Sequence, residues 1–389
     1  MTPDSSPPCD ENAFEKMRRI LPSLSRARSA RDAGPAALEL PDEIAFKLTN
    51  RCNLRCVHCY QWNDDGHHRD LAPEEQNRDL DFGVVERVFA ATRSVRSNVY
   101  LWGGEPLVYR DWSRLARLLE EDRRWTTICT NGQLIEARIE TLLPISESLE
   151  LYVAVDGPRA AHDAMRGAGS FDKIMSGVDR LASLRGEGRF RGEISINCVV
   201  TVENVNGLVP FIRECEDRGV DSFFVSLPWF LSEETSREMD AYVARENPWP
   251  HARPGRRPSW HAYKHRFDPE EIDALIDALA VIAAHPWRLK LRYNPEVGDD
   301  EIREFVSGGS RPAQGKTRCL AVKSRLDVMP DGHAVSCKFF PESSVGDLGR
   351  EDLSEVWRGA PYERVRRVVD GAGLMPVCAK CNLLYSRGV

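Results

Sequence analysis

Beyond residue 43, two rhythms of apolar and polar positions take turns along the chain. Short β-like runs that close on Gly, Asn or Pro alternate with runs whose apolar residues share one helical face, the order expected of βα units around a parallel sheet. The pattern predicts strands over 43–50, 99–102, 126–130, 149–155, 193–202 and 222–227, with helices near 82–94, 111–122, 136–143, 171–185 and 207–218. Six strands rather than eight predict an α/β fold built as an open, partial (β/α)6 TIM-like barrel. The loops at the C-terminal strand ends then carry the chemistry.

Outside that stretch the rhythm changes. Residues 1–42 are rich in Pro, Ser, Ala and Arg, with one helical candidate over 12–24, and read as an N-terminal extension. Residues 231–268 form a basic, aromatic, proline-punctuated insertion with Trp249-Pro250-His251, Pro254-Gly255-Arg256-Arg257-Pro258 and His261-Ala262-Tyr263-Lys264-His265-Arg266. Arginine offers a fork for carboxylate or phosphate, so a lid or anion clamp and a solvated connecting loop are both open readings. A helix near 269–285 and a short run at 289–293 complete a connecting segment. Further on, 326–337 reads as a β-hairpin turning at Asp331-Gly332, and a helix is expected near 352–369. The predicted division is therefore 1–42 extension, 43–230 barrel core, 231–300 insertion and connecting helix, and 301–389 a small C-terminal α+β unit.

Composition narrows the function classes. A formal charge of −7, from 53 basic and 60 acidic residues, creates no global attraction for nucleic acid. No apolar run is long enough to cross a bilayer and the N-terminus lacks a signal-peptide layout, so a cytoplasmic protein without a membrane partner is expected. Eleven cysteines in such a compartment read as metal ligands rather than disulfides. Seven fall into two patterned groups, leaving Cys9, Cys129, Cys198 and Cys215 unassigned.

The first group is Cys52, Cys56 and Cys59, spaced CxxxCxxC directly after the first predicted strand. A structural zinc wants four ligands, and a zinc knuckle here would have to recruit His58 or His67; an iron–sulfur cubane held by three thiolates keeps one iron open. The spacing resembles the radical S-adenosylmethionine (SAM) superfamily. That resemblance implies a [4Fe-4S] cluster at Cys52, Cys56 and Cys59 whose open iron chelates SAM, an electron from the cluster cleaving SAM to methionine and a 5′-deoxyadenosyl radical that abstracts hydrogen from the substrate.

Other segments match the family in order. Gly103-Gly104-Glu105-Pro106 after the second strand resembles its GGEP element, which implies SAM amino-group contacts through backbone carbonyls and Glu105. Asn131 and Asp156, at the ends of the third and fourth strands, are implied to border the SAM ribose and methionyl moiety. Ala154 stands where many relatives have Ser, removing one carboxylate contact. Ser195 and Asn197 share one face of the fifth strand and are SAM-contact candidates if that face is inward, with Cys198 then facing the helices. The segment 162–172 resembles HDxxRGxGSF, in which Arg166 is a candidate for the SAM carboxylate while His162 and Asp163 anchor the loop and open the next helix.

The second group is Cys319, Cys337, Cys378 and Cys381. Four thiolates suit zinc or a fully ligated cluster equally well as bare chemistry. By resemblance, GxxxxC, Val345-Gly346-Asp347-Leu348 and the late CxxC look like a twitch domain, a short SPASM-like unit with an auxiliary [4Fe-4S] cluster. The chain ends before any ligands for a further cluster, so two [4Fe-4S] clusters and SAM are the expected cofactors. An auxiliary cluster without an open iron suits electron transfer, or else a structural staple.

The family implies an external electron donor such as flavodoxin or ferredoxin and an oxidation or crosslinking of the substrate. Two substrates compete: a ribosomally made peptide, although the N-terminal extension is too short for a leader-binding domain, and a small molecule such as an aminocyclitol or sugar. A small-molecule epimerase needs a hydrogen donor, for which Cys129 or Cys198 qualifies only if it points inward. A zinc-stabilised, non-catalytic binding module is the reading from another class.

Overall fold

The computed structural model describes residues 37–249, 257–338 and 340–389. The helical candidate at 12–24, Cys9 and residues 250–256 of the basic insertion lie outside them.

One ten-stranded sheet organises the chain. Its strands are β1 (Glu43–Lys47), β2 (Asn98–Trp102), β3 (Thr126–Thr130), β4 (Leu149–Ala154), β5 (Glu193–Val199), β6 (Ser222–Ser226), β7 (Lys290–Asn294), β8 (Arg325–Val328), β9 (His333–Val335) and β10 (Ser344–Asp347). They lie in the order β10-β9-β8-β1-β2-β3-β4-β5-β6-β7. All pairings from β8 across to β7 are parallel, while β8, β9 and β10 pair antiparallel. The six predicted strands are present and consecutive. The parallel run extends beyond them, because the short run after the connecting helix becomes β7 against β6 and the first arm of the hairpin becomes β8 against β1.

Strand alternation sets the two faces. Ile44, Phe46, Leu101, Ile128, Leu151, Val153 and Ile196 face the helices within one continuous core, fully or almost fully buried. The opposite, inward face carries Lys47, Tyr100, Trp102, Cys129, Tyr152, Ser195 and Asn197, and is far more polar. Cys198 packs on the helix side, in the core, and Cys129 on the inward side beside Tyr100 and Trp102.

A buried ionic network ties β8 and the C-terminus to β1. Arg325, 4% exposed, pairs with Glu43 and Asp327, and Arg387 of the last helix, Asn382–Arg387, reaches Glu43 at 2.6 Å.

Two expectations need correction. Residues 231–268 are not simply a solvated loop: Glu233–Glu246 is an α-helix capped by Ser232, and Trp249, Trp260, Tyr263 and Phe267 are buried. Their aromatic area outweighs the turn-forming prolines that suggested exposure. The single helix near 352–369 is two, Leu353–Arg358 and Ala360–Gly371. Pro361 cannot donate within a continuous helix and instead opens the second one.

Candidate active site

Leaving β1, the chain turns over the mouth of the sheet, and the glycines after β2 let it pass. Gly104 N donates to Thr49 O at 2.9 Å and Glu105 N to Arg51 O at 2.8 Å. A Cβ on Gly104 would lie 2.2 Å from Arg51 O, and one on Gly103 2.6 Å from Thr49 O, so any side chain would push the cysteine loop away. Gln61 Nε2, beyond the last cysteine, donates to Gly103 O at 3.2 Å. Arg51 is held by Asp79 at 2.6 Å. The other flank is pinned where Val57 N donates to Met165 O at 3.0 Å.

Glu105 is fully buried. Its Oε1 accepts from Thr130 Oγ1 at 2.7 Å and Leu107 N at 3.0 Å, and its Oε2 from Asn131 N at 2.7 Å. A carboxylate offers about four lone-pair sites, so roughly one remains for a ligand cation. Burial pushes Glu105 up to about 7, against the lowering effect of those donors. Asn131 itself turns to the cysteine loop, donating through Nδ2 to Asn53 Oδ1 at 2.8 Å and to Cys52 Sγ at 3.8 Å.

The 162–172 segment divides its labour. His162 Nδ1 accepts from Asp156 N at 3.0 Å. Arg166 Nε donates to Asp156 Oδ2 at 2.6 Å, and its terminal nitrogen stands 4.0 Å from Cys56 Sγ. Asp163 accepts from Gly169 N and Phe171 N, both at 2.9 Å, which opens the helix Ser170–Gly186. Burial pushes Asp156 up, but the Arg166 guanidinium, with His58 Nε2 3.5 Å away, brings it down to about 2. Arg166 thus spans an anchored carboxylate and a cysteine.

Ser195 and Asn197 face inward, but both have protein partners. Ser195 donates to Glu150 at 2.8 Å, and Asn197 Oδ1 accepts from Tyr152 at 2.7 Å and Ser226 at 2.6 Å. The Asn197 amide nitrogen has no acceptor among the described residues. Pro106 opens the short helical turn Pro106–Val108 under the mouth.

The three cysteines of the loop stay within one turn of chain. Leu54 N donates to Cys52 Sγ at 3.4 Å, and backbone N–H groups of Gln61 and Trp62 favour the charged form of Cys59. Without a metal, burial pushes Cys52 up to about 11 and Cys56 up to about 12. Metal binding is what would deprotonate them. His58 and His67 are directed elsewhere, to Asp156 and to Tyr60 O respectively.

Cys319, Cys337, Cys378 and Cys381 converge. All four line one cavity of about 60 Å³ walled mainly by apolar side chains. Backbone N–H groups of Ala321 and Val322 favour the thiolate of Cys319, and those of Leu383 and Leu384 that of Cys381. Such N–H contacts to sulfur, in an apolar wall, suit a cluster ligated by thiolates. Among the described residues no three His, Cys, Asp or Glu side chains stand close enough to ligate one ion. Donor sets made of thiols alone suit iron–sulfur clusters at both cysteine groups.

One contact joins the two groups. Tyr60, next to Cys59, stacks on Tyr263 with ring centroids 4.6 Å apart, and Tyr263 lines the cavity of the second group. Lys338, next to Cys337, lies 5.0 Å over the Tyr100 ring.

A family model described as the radical SAM superfamily matches residues 46–205, and one described as an iron–sulfur cluster-binding domain, SPASM, matches residues 319–382. Residues 46–205 are thus a radical SAM domain. The C-terminal unit is of the SPASM type, and the two together imply SAM and [4Fe-4S] clusters as cofactors. The chain is similar to pre-heme d1 synthase of Dinoroseobacter shibae, at 29% identity over 81% of this chain and 73% of that one. It is similar to mycofactocin maturase MftC of Mycobacterium ulcerans, at 25% identity over 89% of this chain and 81% of that one. Among solved structures, Streptococcus suis SuiB bound to precursor peptide SuiA aligns with a TM-score of 0.56 and 18% identity, covering 93% of this chain and 74% of SuiB; this shows the shared fold. Among the described residues no helix is long and apolar enough to cross a membrane.

Sequence reasoning missed Lys47, His68, Gln61 and Lys338. Lys47 was legible as a charged residue closing an otherwise apolar strand run, but strand period alone does not say which face is the mouth.

Proposed function

We propose that this chain cleaves SAM reductively and oxidises or crosslinks a ribosomally made peptide. The cluster on Cys52, Cys56 and Cys59 would supply the electron that converts SAM to methionine and a 5′-deoxyadenosyl radical, which takes a hydrogen atom from the substrate. Flavodoxin or ferredoxin would be the source of that electron.

The chain's own residues supply position. Gly103 and Gly104 admit the cysteine loop to the mouth, and Glu105, with about one acceptor site left, would hold the SAM amino group. Asn131 and Asp156 would border the ribose and methionyl part, Arg166, alongside its bond to Asp156, would hold the SAM carboxylate, and the Asn197 amide nitrogen would add a donor from the inward face. Pro106 and Ser195 support that wall. The observation that carries the oxidative reading is the Tyr60–Tyr263 stack, which packs the first cysteine loop directly against the cavity of Cys319, Cys337, Cys378 and Cys381. Cys319, Cys337, Cys378 and Cys381 would hold a cluster there that supplies an acceptor for the electron left on the substrate, a proton leaving to solvent, for a net two-electron oxidation.

The similarity to MftC and the shared fold with peptide-bound SuiB support the peptide. The similarity to pre-heme d1 synthase supports a second reading, oxidation or epimerisation of a small molecule. For an epimerase, Cys129 is the thiol on the inward face.

The test is anaerobic incubation of the reconstituted protein with dithionite and SAM. 5′-Deoxyadenosine should form, and Cys56→Ala should abolish it; unchanged formation in that variant refutes the assignment. Loss of two hydrogens from a co-encoded peptide, read by mass spectrometry, separates peptide from small molecule.

A further inference from the structure

A cavity of about 360 Å³ opens beside the cysteine loop, between His67 and His68 on one side and Met329, Pro330 and Asp331 at the end of β8 on the other. Trp249 and Trp260 form an aromatic wall, and Trp249 Nε1 donates to Ser336, the neighbour of Cys337, at 3.1 Å. Its walls therefore come from chain segments near both cysteine groups, although none of the seven cysteines lines it. Its size lies in the range of sites for small ligands.

Lys47 lines this cavity and is 4% exposed. Its ammonium, with three donors, has one hydrogen-bond partner among the described residues, His68 Nε2 at 2.8 Å, and lies 5.5 Å from the Trp102 ring. Among the described residues no carboxylate pairs with it. Burial without a counter-ion pulls Lys47 down to about 7, and a lysine so placed is ordinarily paired when charged.

The cavity's acids do not fill that role. Asp240 accepts from Trp260 and His261, Glu342 from Ser259 through both oxygens, Glu75 pairs with Arg78, and Asp331 accepts from His333 N at 3.1 Å. Asp331 and Cys59 bear on Lys47 electrostatically without pairing with it. Three further polar atoms of lining residues are buried without a partner: Asn50 Oδ1, His67 Nε2 and His68 Nδ1. Asn50 is 7% and His68 1% exposed. Buried polar groups left open beside a cavity point to a ligand that completes them: His68 Nδ1–H is a donor beside Lys47, whereas Asn50 Oδ1 and His67 Nε2, whose Nδ1–H faces Tyr60 O, accept from donors elsewhere on the ligand.

We propose that this cavity is the substrate chamber and that Lys47 anchors a carboxylate on the substrate, whose apolar or aromatic body lies against Trp249 and Trp260. The assignment rests on the reading of this chain as a substrate-oxidising radical SAM enzyme. The carboxylate has two sources, the C-terminus of a peptide or a small organic acid, and both present the same chemistry to Lys47.

The test measures binding to the reconstituted full chain by saturation-transfer NMR and calorimetry. The probes are 4-hydroxyphenylacetate and its amide, and Gly-Gly-Phe and its C-terminal amide. The acids should bind at millimolar concentration, and the amides about tenfold or more weakly, because each lacks the charge-assisted bond. Lys47→Met should cause the same loss for the acids and Lys47→Arg should restore part of it. Preference for Gly-Gly-Phe marks a peptide terminus, and preference for 4-hydroxyphenylacetate a small acid. Equal binding of acids and amides, failure of both acids to bind, or full acid binding by folded Lys47→Met overturns the proposal. The acid–amide comparison uses the wild-type chain, so it holds even if a variant does not fold. SAM cleavage by the wild type is scored separately: cleavage without acid binding removes the chamber alone, and acid binding without cleavage removes the proposed function alone.

Discussion

Replacing Glu105 with Gln tests the electrostatics of the mouth directly. The carboxyl group is fully buried and pushed up to about 7 from an ordinary 4.5. The folded chain therefore holds a proton that the unfolded chain releases between about pH 4.5 and pH 7, so stability falls as pH rises through that window. A difference of about 2.5 pH units corresponds to on the order of 3 kcal/mol. Gln does not titrate, but its NH2 must replace either Oε1, which faces Leu107 N–H, or Oε2, which faces Asn131 N–H. Either choice sets donor against donor and costs about 1–3 kcal/mol at every pH. Glu105→Gln should accordingly melt below the wild type near pH 5, with the gap narrowing as pH rises towards about 8. Calorimetry on SAM-free protein reads this, and other titrating groups cancel because both chains share them. A gap that stays constant or widens with pH would show that Glu105 is ionised throughout, and the argument from burial would fail.

Removing Arg166 leaves Asp156 buried without a cationic partner near neutral pH, because burial pulls neighbouring His58 down to about 4, so Arg166→Met should cost about 3–5 kcal/mol and lower Tm, while adding Asp156→Asn should recover much of the loss. A neutral single variant would refute the pairing. The same pair fixes a pH dependence: Asp156, brought down to about 2, contributes stability that is present above its ordinary 3.8 and lost as pH falls through about 2. In Arg166→Met the acid limb of a Tm–pH profile should move to higher pH. For the auxiliary site, Cys378→Ala should lower bound iron and product while retaining some SAM cleavage; full product formation with the iron lost would reject an electron-transfer role.

What the sequence made legible was local. Gly103-Gly104 after a strand, Asp331-Gly332 in a hairpin, and cysteines at short spacing each state a backbone or ligand requirement within a few residues. Partnership between distant strands has no such signal. The run at 289–293 and the strand opening at Arg325 have the alternation of any half-buried strand, and nothing in that alternation says that one pairs with β6 and the other with β1. Arg166 was legible as a cation near the site. Its commitment to Asp156 was not, because Asp156 also ends a strand at the mouth and either residue could equally have faced a ligand. The insertion misled because prolines and arginines signal a surface loop, whereas Trp249, Trp260 and Tyr263 are buried and form walls of two cavities.

The shared mouth of the two cysteine groups follows from topology rather than from a chance contact. β1 and β8 are adjacent and parallel, so the chain leaves both at the same end of the sheet. Cys52 follows the last residue of β1, Lys47, by five positions, and Cys337 follows the last residue of β8, Val328, by nine. The second excursion turns back antiparallel as β9, and Cys337 lies just beyond it. Lys47 sits at the root of the first excursion and Met329 at the root of the second, and both line the same cavity. That cavity is flanked by the two strand exits that lead to Cys52 and Cys337, and the Tyr60–Tyr263 stack packs the two sides together. Loss of the β1–β8 pairing would thus separate the two cysteine groups even with all seven cysteines intact. The buried Arg325–Glu43 pair guards that geometry at the far end of the same two strands.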